Sequence, residues 1–369
     1  MATAVSACFV RAGRVGGAEH ALYNLLDGLR SVTTAADPWS VVTAEPLQLG
    51  FDLAPLLTRP VHVPGLRNRV AIETLALPAL RGVDRWLLPN YYTPLGLRGH
   101  VVTVIHDAQH EHFPENFSAR KRAWLRAAHR YTMRRADVVV AISQSVATDL
   151  LRVHGDRYAT KVVVIPNAVS FARLEGGSLP AQVPSDRELI LCVAASWRHK
   201  NLPTLVGAFA AVTRRRKDAH LVLVGQVSGR LLGAKMADDV GALVAEMGLL
   251  DQVTVLGYVP DAALGALYRS AAVVAIPSLF EGFGLPVIEA LGLGVPVVST
   301  RAGSPDEIAL DLPVFVENPK DVDEFAERLL AVLADPRRYA PTREAAARIR
   351  VHCSPPRIAR AYVDLEASL

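Results

Sequence analysis

Two carboxylates, Glu281 and Glu289, enclose the run Gly282-Phe283-Gly284-Leu285-Pro286-Val287-Ile288. Carboxylates accept hydrogen bonds from hydroxyls, glycines let a backbone approach a ligand closely, and proline's fixed φ and missing N–H suit the first position of a helix. A helix start carries partial positive charge and unsatisfied N–H groups, so it attracts anions. The chemistry expected here is recognition of a nucleotide sugar. The diphosphate would lie over residues 284 to 287, against the Gly282, Phe283, Gly284 and Leu285 loop, while Glu281 accepts from sugar hydroxyls. Glu289, about one turn into the helix and leaning back toward its start, would reach a ribose. The plainer alternative is a buried strand, a turn and a capped helix with two ordinary glutamates.

Other residues suited to chemistry fall where strands are expected to give way to helices or loops. Gly16 and Gly17 stand between a strand and a helix, where backbone N–H groups can face phosphate oxygens. Alone this signal is weak, and Gly-Arg-Val-Gly-Gly-Ala is not the GxGxxG of dinucleotide enzymes: the third glycine is replaced, and no acidic residue ends the second strand. His106-Asp107 ends the run Val-Val-Thr-Val-Ile, and His110 and His112 follow in the next loop, a composition that also allows a metal. Lys200 follows Leu-Cys-Val-Ala-Ala-Ser and precedes a helix near Leu202-Pro203. A fixed cation there would stabilise the charge a leaving diphosphate gathers. Gly257-Tyr258-Val259 ends a strand and could read a base edge, or be a simple strand end. Arg122, Arg126, Arg130 and Arg134 recur four apart, along one slowly turning face of a helix. That face is either ordinarily solvated or a contact for anionic lipid or a lipid-diphosphate acceptor.

These residues resemble the motif set of retaining glycosyltransferase family 4, the glycosyl transferases group 1, in which two glutamates with this spacing follow a Pro-Ser strand end, here Pro277-Ser278. Gly16-Gly17-Ala18-Glu19, Ile105-His106-Asp107, Ile142-Ser143-Gln144-Ser145, Ile165-Pro166-Asn167 and His199-Lys200-Asn201 fall in the order such enzymes use. The resemblance implies a GT-B fold, two Rossmann-like domains facing a central cleft. It also implies a nucleotide diphosphate sugar as donor substrate, with no cofactor and no metal. Gly16 and Gly17 would lie against the donor diphosphate, His106 against the transferred sugar, Lys200 against the diphosphate and Tyr258 in the loop over the base. The family carries an arginine beside that lysine. Its usual places are held here by Ala195 or His199, and Arg198 is displaced by one residue. GDP-mannose is the first expected donor and a UDP-sugar the second; the acceptor would be a glycan, as in polysaccharide synthesis, a lipid-linked chain or a small molecule. Two alternatives are a nucleotide-sugar 2-epimerase of the same fold and a non-catalytic sugar-nucleotide-binding protein; the presence of Glu281, Glu289 and Lys200 weighs against the latter.

The elements that must hold these residues are legible as alternation. Short β-branched runs (VSACFV, WSVVTA, DRWLLP, HVVTVIH, DVVVAIS, KVVVIPN) alternate with amphipathic helical stretches, the pattern of a parallel sheet wrapped by helices. Residues 167 to 187 lose all periodicity and read as a linker. The alternation then restarts with ELILCVA, HLVLVG, QVTVLG, AAVVAIP and VPVVST. Two doubly wound α/β domains are predicted, an acceptor-binding one over 1–168 and a nucleotide-sugar-binding one over 186–350, with a final helix at 354–369 crossing back onto the first.

At 369 residues, 51% of them hydrophobic, the chain can build two cores, and disorder is excluded. Cys8, Cys192 and Cys353 stand far apart in or near apolar runs, which argues for a reducing compartment. No run of eighteen apolar residues occurs, so no transmembrane span is expected. The protein is expected in the cytoplasm, with peripheral contact at the inner face of an anionic membrane left open. A net charge of +4 is modest for this length, and no nucleic-acid partner is expected.

Overall fold

The computed structural model describes residues 2–10, 16–34, 39–63, 68–226, 239–304, 307, 309 and 312–369, and the backbone alone at 230–231 and 234–235. The chain divides into two compact units: Met1–Val169 with Cys353–Leu369, and Ser170–His352.

The first unit holds a 7-stranded sheet, formed by β1 (Thr3–Ser6), β2 (Ser40–Thr43), β3 (Leu57–Pro60), β4 (Arg85–Leu88), β5 (His100–Ile105), β6 (Val138–Ala141) and β7 (Val162–Val164). Its spatial order is β3-β2-β1-β4-β5-β6-β7, and every pair is parallel. The second unit holds a 6-stranded parallel sheet of β8 (Glu188–Val193), β9 (Ala219–Val224), β12 (Val253–Gly257), β13 (Ala271–Ile276), β14 (Val297–Thr300) and β15 (Val314–Val316). Its order is β12-β9-β8-β13-β14-β15; β10 (Arg230–Leu231) and β11 (Ala234–Lys235) form a separate small antiparallel pair. Helices cover both faces of such sheets, so the central strands are buried on both sides and read as unbroken apolar runs instead of alternating. Val101, Val102, Val104 and Ile105 of β5 are all buried, as are Leu189, Ile190, Leu191 and Cys192 of β8. In the second unit Phe209 of the helix Leu202–Arg215 and Phe325 of the helix Val322–Ala334 are completely buried in one core with Ile190, Leu221 and Val273. Truncating either phenylalanine to alanine should cost about 3–5 kcal/mol.

The C-terminal helix Pro355–Ala367 packs along the first helix, Gly17–Val32. Gly28 makes this possible: a Cβ there would sit 2.1 Å from the Pro355 carbonyl oxygen and 2.9 Å from the Ala359 Cβ. A mid-helix glycine costs about 1 kcal/mol relative to alanine, and here the close approach requires it. Val169 N–H donates to the Cys353 carbonyl at 2.8 Å where the chain leaves and re-enters this unit.

Three sequence expectations differ from the structure. The first strand covers Thr3–Ser6, not 5–10, because Ala7 to Val10 are buried in a turn with Val10 N–H bonded to the Ala7 carbonyl. β3, absent from the alternating runs read in the sequence, is an edge strand with exposed Leu57 and a terminal proline, so it lacks the apolar pattern. The aperiodic stretch after 167 is folded: Phe171, Leu174 and Val183 are buried in the second unit, which therefore begins at Ser170.

Candidate functional site

In the second unit the strand order reverses between β8 and β13, and ligands of doubly wound sheets bind beyond the strand C-terminal ends at such a point. Both predicted charges lie there. After β8 the chain makes a short 3-10 turn, Arg198–Lys200, and passes through Asn201 in a left-handed conformation with φ 53°. Asn201 earns this conformation through its side chain, which donates to the Pro277 carbonyl at 3.0 Å and the Pro319 carbonyl at 2.6 Å and accepts from the Thr204 hydroxyl at 2.9 Å. Leu279 N–H, just past β13, donates to the His199 carbonyl at 2.6 Å. These bonds fix the two strand ends side by side.

Lys200 and Glu281 consequently meet, with Nζ 2.7 Å from Oε1 and the side chains 21% and 9% exposed. Ser278 donates its hydroxyl to the same oxygen at 2.6 Å. The Glu281 backbone is held as well, its N–H donating to the Ala302 carbonyl at 2.8 Å. Burial, with Lys200 adding to it, pushes the neighbouring His199 down to about 2, so this imidazole stays neutral beside the ammonium. Arg198 is exposed on the turn and its side chain makes no polar contact among the described residues, so it is not drawn to the Lys200–Glu281 pair.

Glu289 has a separate set of partners. It is 3% exposed in the helix Leu285–Gly292, where one carboxylate oxygen accepts from the Arg173 guanidinium and the other from the Tyr268 hydroxyl at 2.8 Å. Burial, reinforced by Glu289, raises the Tyr268 phenol well above its ordinary value and keeps it a donor. Gly284 precedes this helix with φ 78°, a conformation that favours glycine. Phe283 is buried and Leu285 half-buried, while Gly282 lies partly open. Pro286 contributes no N–H, and Val287 and Ile288 both donate to the Gly284 carbonyl. Any anion contact at this helix start must therefore come from N–H groups ahead of Pro286, fewer than the sequence suggested. Gly257, with φ 65°, closes β12, and Tyr258 after it is 58% exposed.

In the first unit Gly16 begins the first helix at φ 65° and ψ −133°, and its carbonyl accepts from Glu19 and His20 while Gly17 opens the helix proper. Residues 13 to 15 of the glycine motif lie outside the described residues. His106 is buried, its Nε2 2.9 Å from the Pro89 carbonyl. A carbonyl only accepts, so Nε2 carries the proton and Nδ1 is left as an acceptor. Burial lowers the His106 pKa and keeps the ring neutral. Asp107 accepts from the Tyr91 hydroxyl at 2.8 Å and from Gln109 N–H at 3.0 Å. Tyr91 itself has φ 68°, a strained conformation for an aromatic residue, and its ring lies 5.5 Å from that of His106. The histidines of the loop do not converge: His112 meets Asp149 at 2.6 Å, whereas His110 packs edge-on to His129. Among the described residues no three His, Cys, Asp or Glu side chains gather as a metal site. The arginine face is divided too, since Arg126 is engaged by both oxygens of Glu111 at 2.6 and 2.5 Å.

Sequence reasoning missed Arg173, Tyr268 and Tyr91. Arg173 stands in a stretch without periodicity, and a buried tyrosine in a helix reads as core.

The family model described as "Glycosyl transferases group 1" matches residues 180–349, and that described as "Glycosyltransferase Family 4" matches residues 15–173. The chain is similar to O-antigen chain mannosyltransferase B of Escherichia coli, 27% identical over 254 residues. That stretch is 67% of this chain and 64% of the E. coli protein, short of two thirds of its length. Sucrose-phosphate synthase from Thermosynechococcus elongatus superposes with TM-score 0.77 at 21% identity, covering 100% of both chains. Anabaena HepE in complex with UDP and glucose gives TM-score 0.75 at 20% identity, over 100% of this chain and 99% of that one. At these identities the structural likeness is one of fold: two parallel α/β sheets of the GT-B type. No helix among the described residues is long and apolar enough to cross a membrane.

Proposed function

Because the chain belongs to the glycosyl transferases group 1, glycosyltransferase family 4, we propose that it transfers a sugar from a nucleotide diphosphate donor held by its second unit, with retention at the anomeric carbon and without a metal. The observation that carries this reading is the Lys200–Glu281–Ser278 cluster at the point where the second sheet reverses order. Lys200 and Glu281 neutralise each other. A diphosphate draws the ammonium to itself and frees the carboxylate for sugar hydroxyls, so the pair supplies a cation where the leaving group gathers charge. The glycosidic bond to phosphate breaks as the acceptor oxygen bonds to the same face, and the departing phosphate oxygen takes the acceptor proton. Such a step asks the protein for positioning and charge stabilisation.

In the second unit Glu289 takes the ribose, Gly282 to Leu285 line the diphosphate and Tyr258 supports the base; in the first, Gly16 and Gly17 are assigned to phosphate oxygens and the Nδ1 of His106 to a hydroxyl of the transferred sugar. Arg198 is assigned to outer contact with the phosphates. GDP-mannose is the favoured donor, supported by the mannosyltransferase among the relatives; a UDP-sugar is the second reading, supported by the UDP complex of the HepE neighbour. The acceptor is a glycan, lipid-linked or small-molecule hydroxyl. The test is release of nucleoside diphosphate from each common nucleotide sugar with a panel of sugar acceptors, followed by NMR of the new anomeric centre. An α-linked product from an α-linked donor, formed equally well in EDTA, is expected. An inverted product, or activity lost in EDTA and restored by Mg²⁺ or Mn²⁺, would overturn the mechanism.

A further inference from the structure

Resting on the reading of Glu289 as the ribose contact, we infer that Arg173 is a positioning residue for nucleotide binding, acting through Glu289 and through the helix that follows the Tyr258 loop. Its guanidinium spans two segments. One terminal nitrogen donates to Glu289 and the other to Asp261 at 2.5 Å, in the first turn of the helix Asp261–Ser270 that begins directly after Val259-Pro260. Arg173 is thus a brace between the carboxylate expected on the ribose and the segment expected under the base. Both charges of the contact are largely buried, with side-chain exposures of 15% for Arg173 and 4% for Glu289. A carboxylate so enclosed holds its orientation only while its partners do, and Arg173 and Tyr268 each occupy one oxygen, leaving a lone pair on each to meet ribose hydroxyls. The guanidinium Nε is buried without a partner, so the side chain is fixed by its two terminal nitrogens alone. Phe171 and Leu174 anchor it from either side, both buried in the second unit.

The test is calorimetric titration of GDP and of UDP into the full chain and into Arg173→Lys, Arg173→Ala, Glu289→Ala and the Arg173→Ala/Glu289→Ala double variant, each first checked by thermal melting. Arg173→Ala leaves a buried carboxylate unpaired and is the variant most prone to misfold; Arg173→Met combined with Glu289→Gln removes both charges and serves in its place. The expected result is a rise in Kd of about tenfold for Arg173→Ala, a smaller rise for Arg173→Lys, and a double variant no weaker than Glu289→Ala alone. Donor KM should rise with Kd while kcat changes little, which a purely structural role would not produce. A folded Arg173→Ala, or a folded neutral pair, with wild-type nucleotide affinity would overturn the inference, as would additive losses in the double variant. Failure of the wild-type chain to bind any nucleoside diphosphate would instead overturn the donor-site reading beneath it.

Discussion

The two units share one strand order around the reversal point, yet their polar groups are arranged differently. In the second unit the charges are matched: Lys200 with Glu281, and Arg173 with Glu289 and Asp261. In the first, Arg69 is paired with the buried Glu73 and Asp107 accepts from Tyr91, and a run of neutral rings lies beyond His106, some with unbonded nitrogens. His129 is completely buried with both ring nitrogens unbonded, His154 Nε2 is likewise unbonded, and Tyr91 bears backbone strain. The shared scaffold therefore does not dictate the chemistry, which comes from the few side chains placed at strand ends. A diphosphate demands fixed positive charge, which Lys200 supplies beside Glu281 at the second unit's reversal point; in the first unit Arg69 is instead held by the buried Glu73 at 3.1 Å and by the Asn90 carbonyl just past β4. Neutral acceptors such as His106 Nδ1 suit sugar hydroxyls.

The largest effect should follow from breaking the charged side of this contrast. Lys200→Ala and Glu281→Ala are each expected to lower kcat/KM at least about a hundredfold with melting temperature little changed, since each removes a preorganised contact to developing charge or to the sugar. Near-normal turnover in either folded variant would remove the assignment. A smaller loss, about tenfold in kcat, is expected for His106→Ala, because a neutral hydrogen-bond acceptor contributes less than a charge. Steady-state kinetics would show it as a defect in turnover without one in nucleotide affinity.

The neutral side can be broken by acid. Burial first, then His110 and His154, pushes His129 down to about 3. The unfolded chain therefore binds more protons below pH 6.5, and the stability that neutral His129 contributes is present above that pH and lost as pH falls toward 3. By pH 4.5 the loss should reach about 2–3 kcal/mol, and urea titrations of His129→Leu should show a flatter acid limb than wild type. Glu366 in the C-terminal helix has the opposite sign. Burial raises it to about 7 with neither oxygen bonded, so its contribution is full below pH 4.5 and is lost as pH rises toward 7. Glu366→Gln should accordingly gain about 1–3 kcal/mol over wild type at pH 8 and nothing at pH 4.5. An equal gain at both pH values would show that the carboxyl does not titrate in this range. The smallest effect is proposed for the arginine face. With Arg126 already engaged by Glu111, Arg122 and Arg130 would add about 1 kcal/mol each to attachment on anionic vesicles, fading as salt screens them. Sedimentation with neutral and anionic lipid should separate the two; equal binding to both leaves an ordinary solvated helix face.

The central strands and the residues at their ends were legible in the sequence because a doubly buried strand must be apolar throughout and its end must change character abruptly. Glu281 and Lys200 stood out on those grounds, and the structure joins them. Glu289 was legible as a carboxylate at a helix start but not as a member of a buried cluster, since its partner Arg173 lies 116 positions away in a stretch with no pattern. Register and distant pairing leave no local trace. The same holds for β3, whose exposed edge needs no apolar alternation, and for Tyr91, whose backbone strain depends on neighbours remote in sequence.

The central claim is that Lys200 of the second unit holds the nucleotide while His106 of the first unit does not. Titration of GDP and UDP into wild type, Lys200→Ala and His106→Ala tests it directly. The account predicts that Lys200→Ala binds the preferred nucleoside diphosphate at least about tenfold more weakly while His106→Ala binds it as wild type does. Undiminished affinity in Lys200→Ala, or a loss confined to His106→Ala, would contradict it.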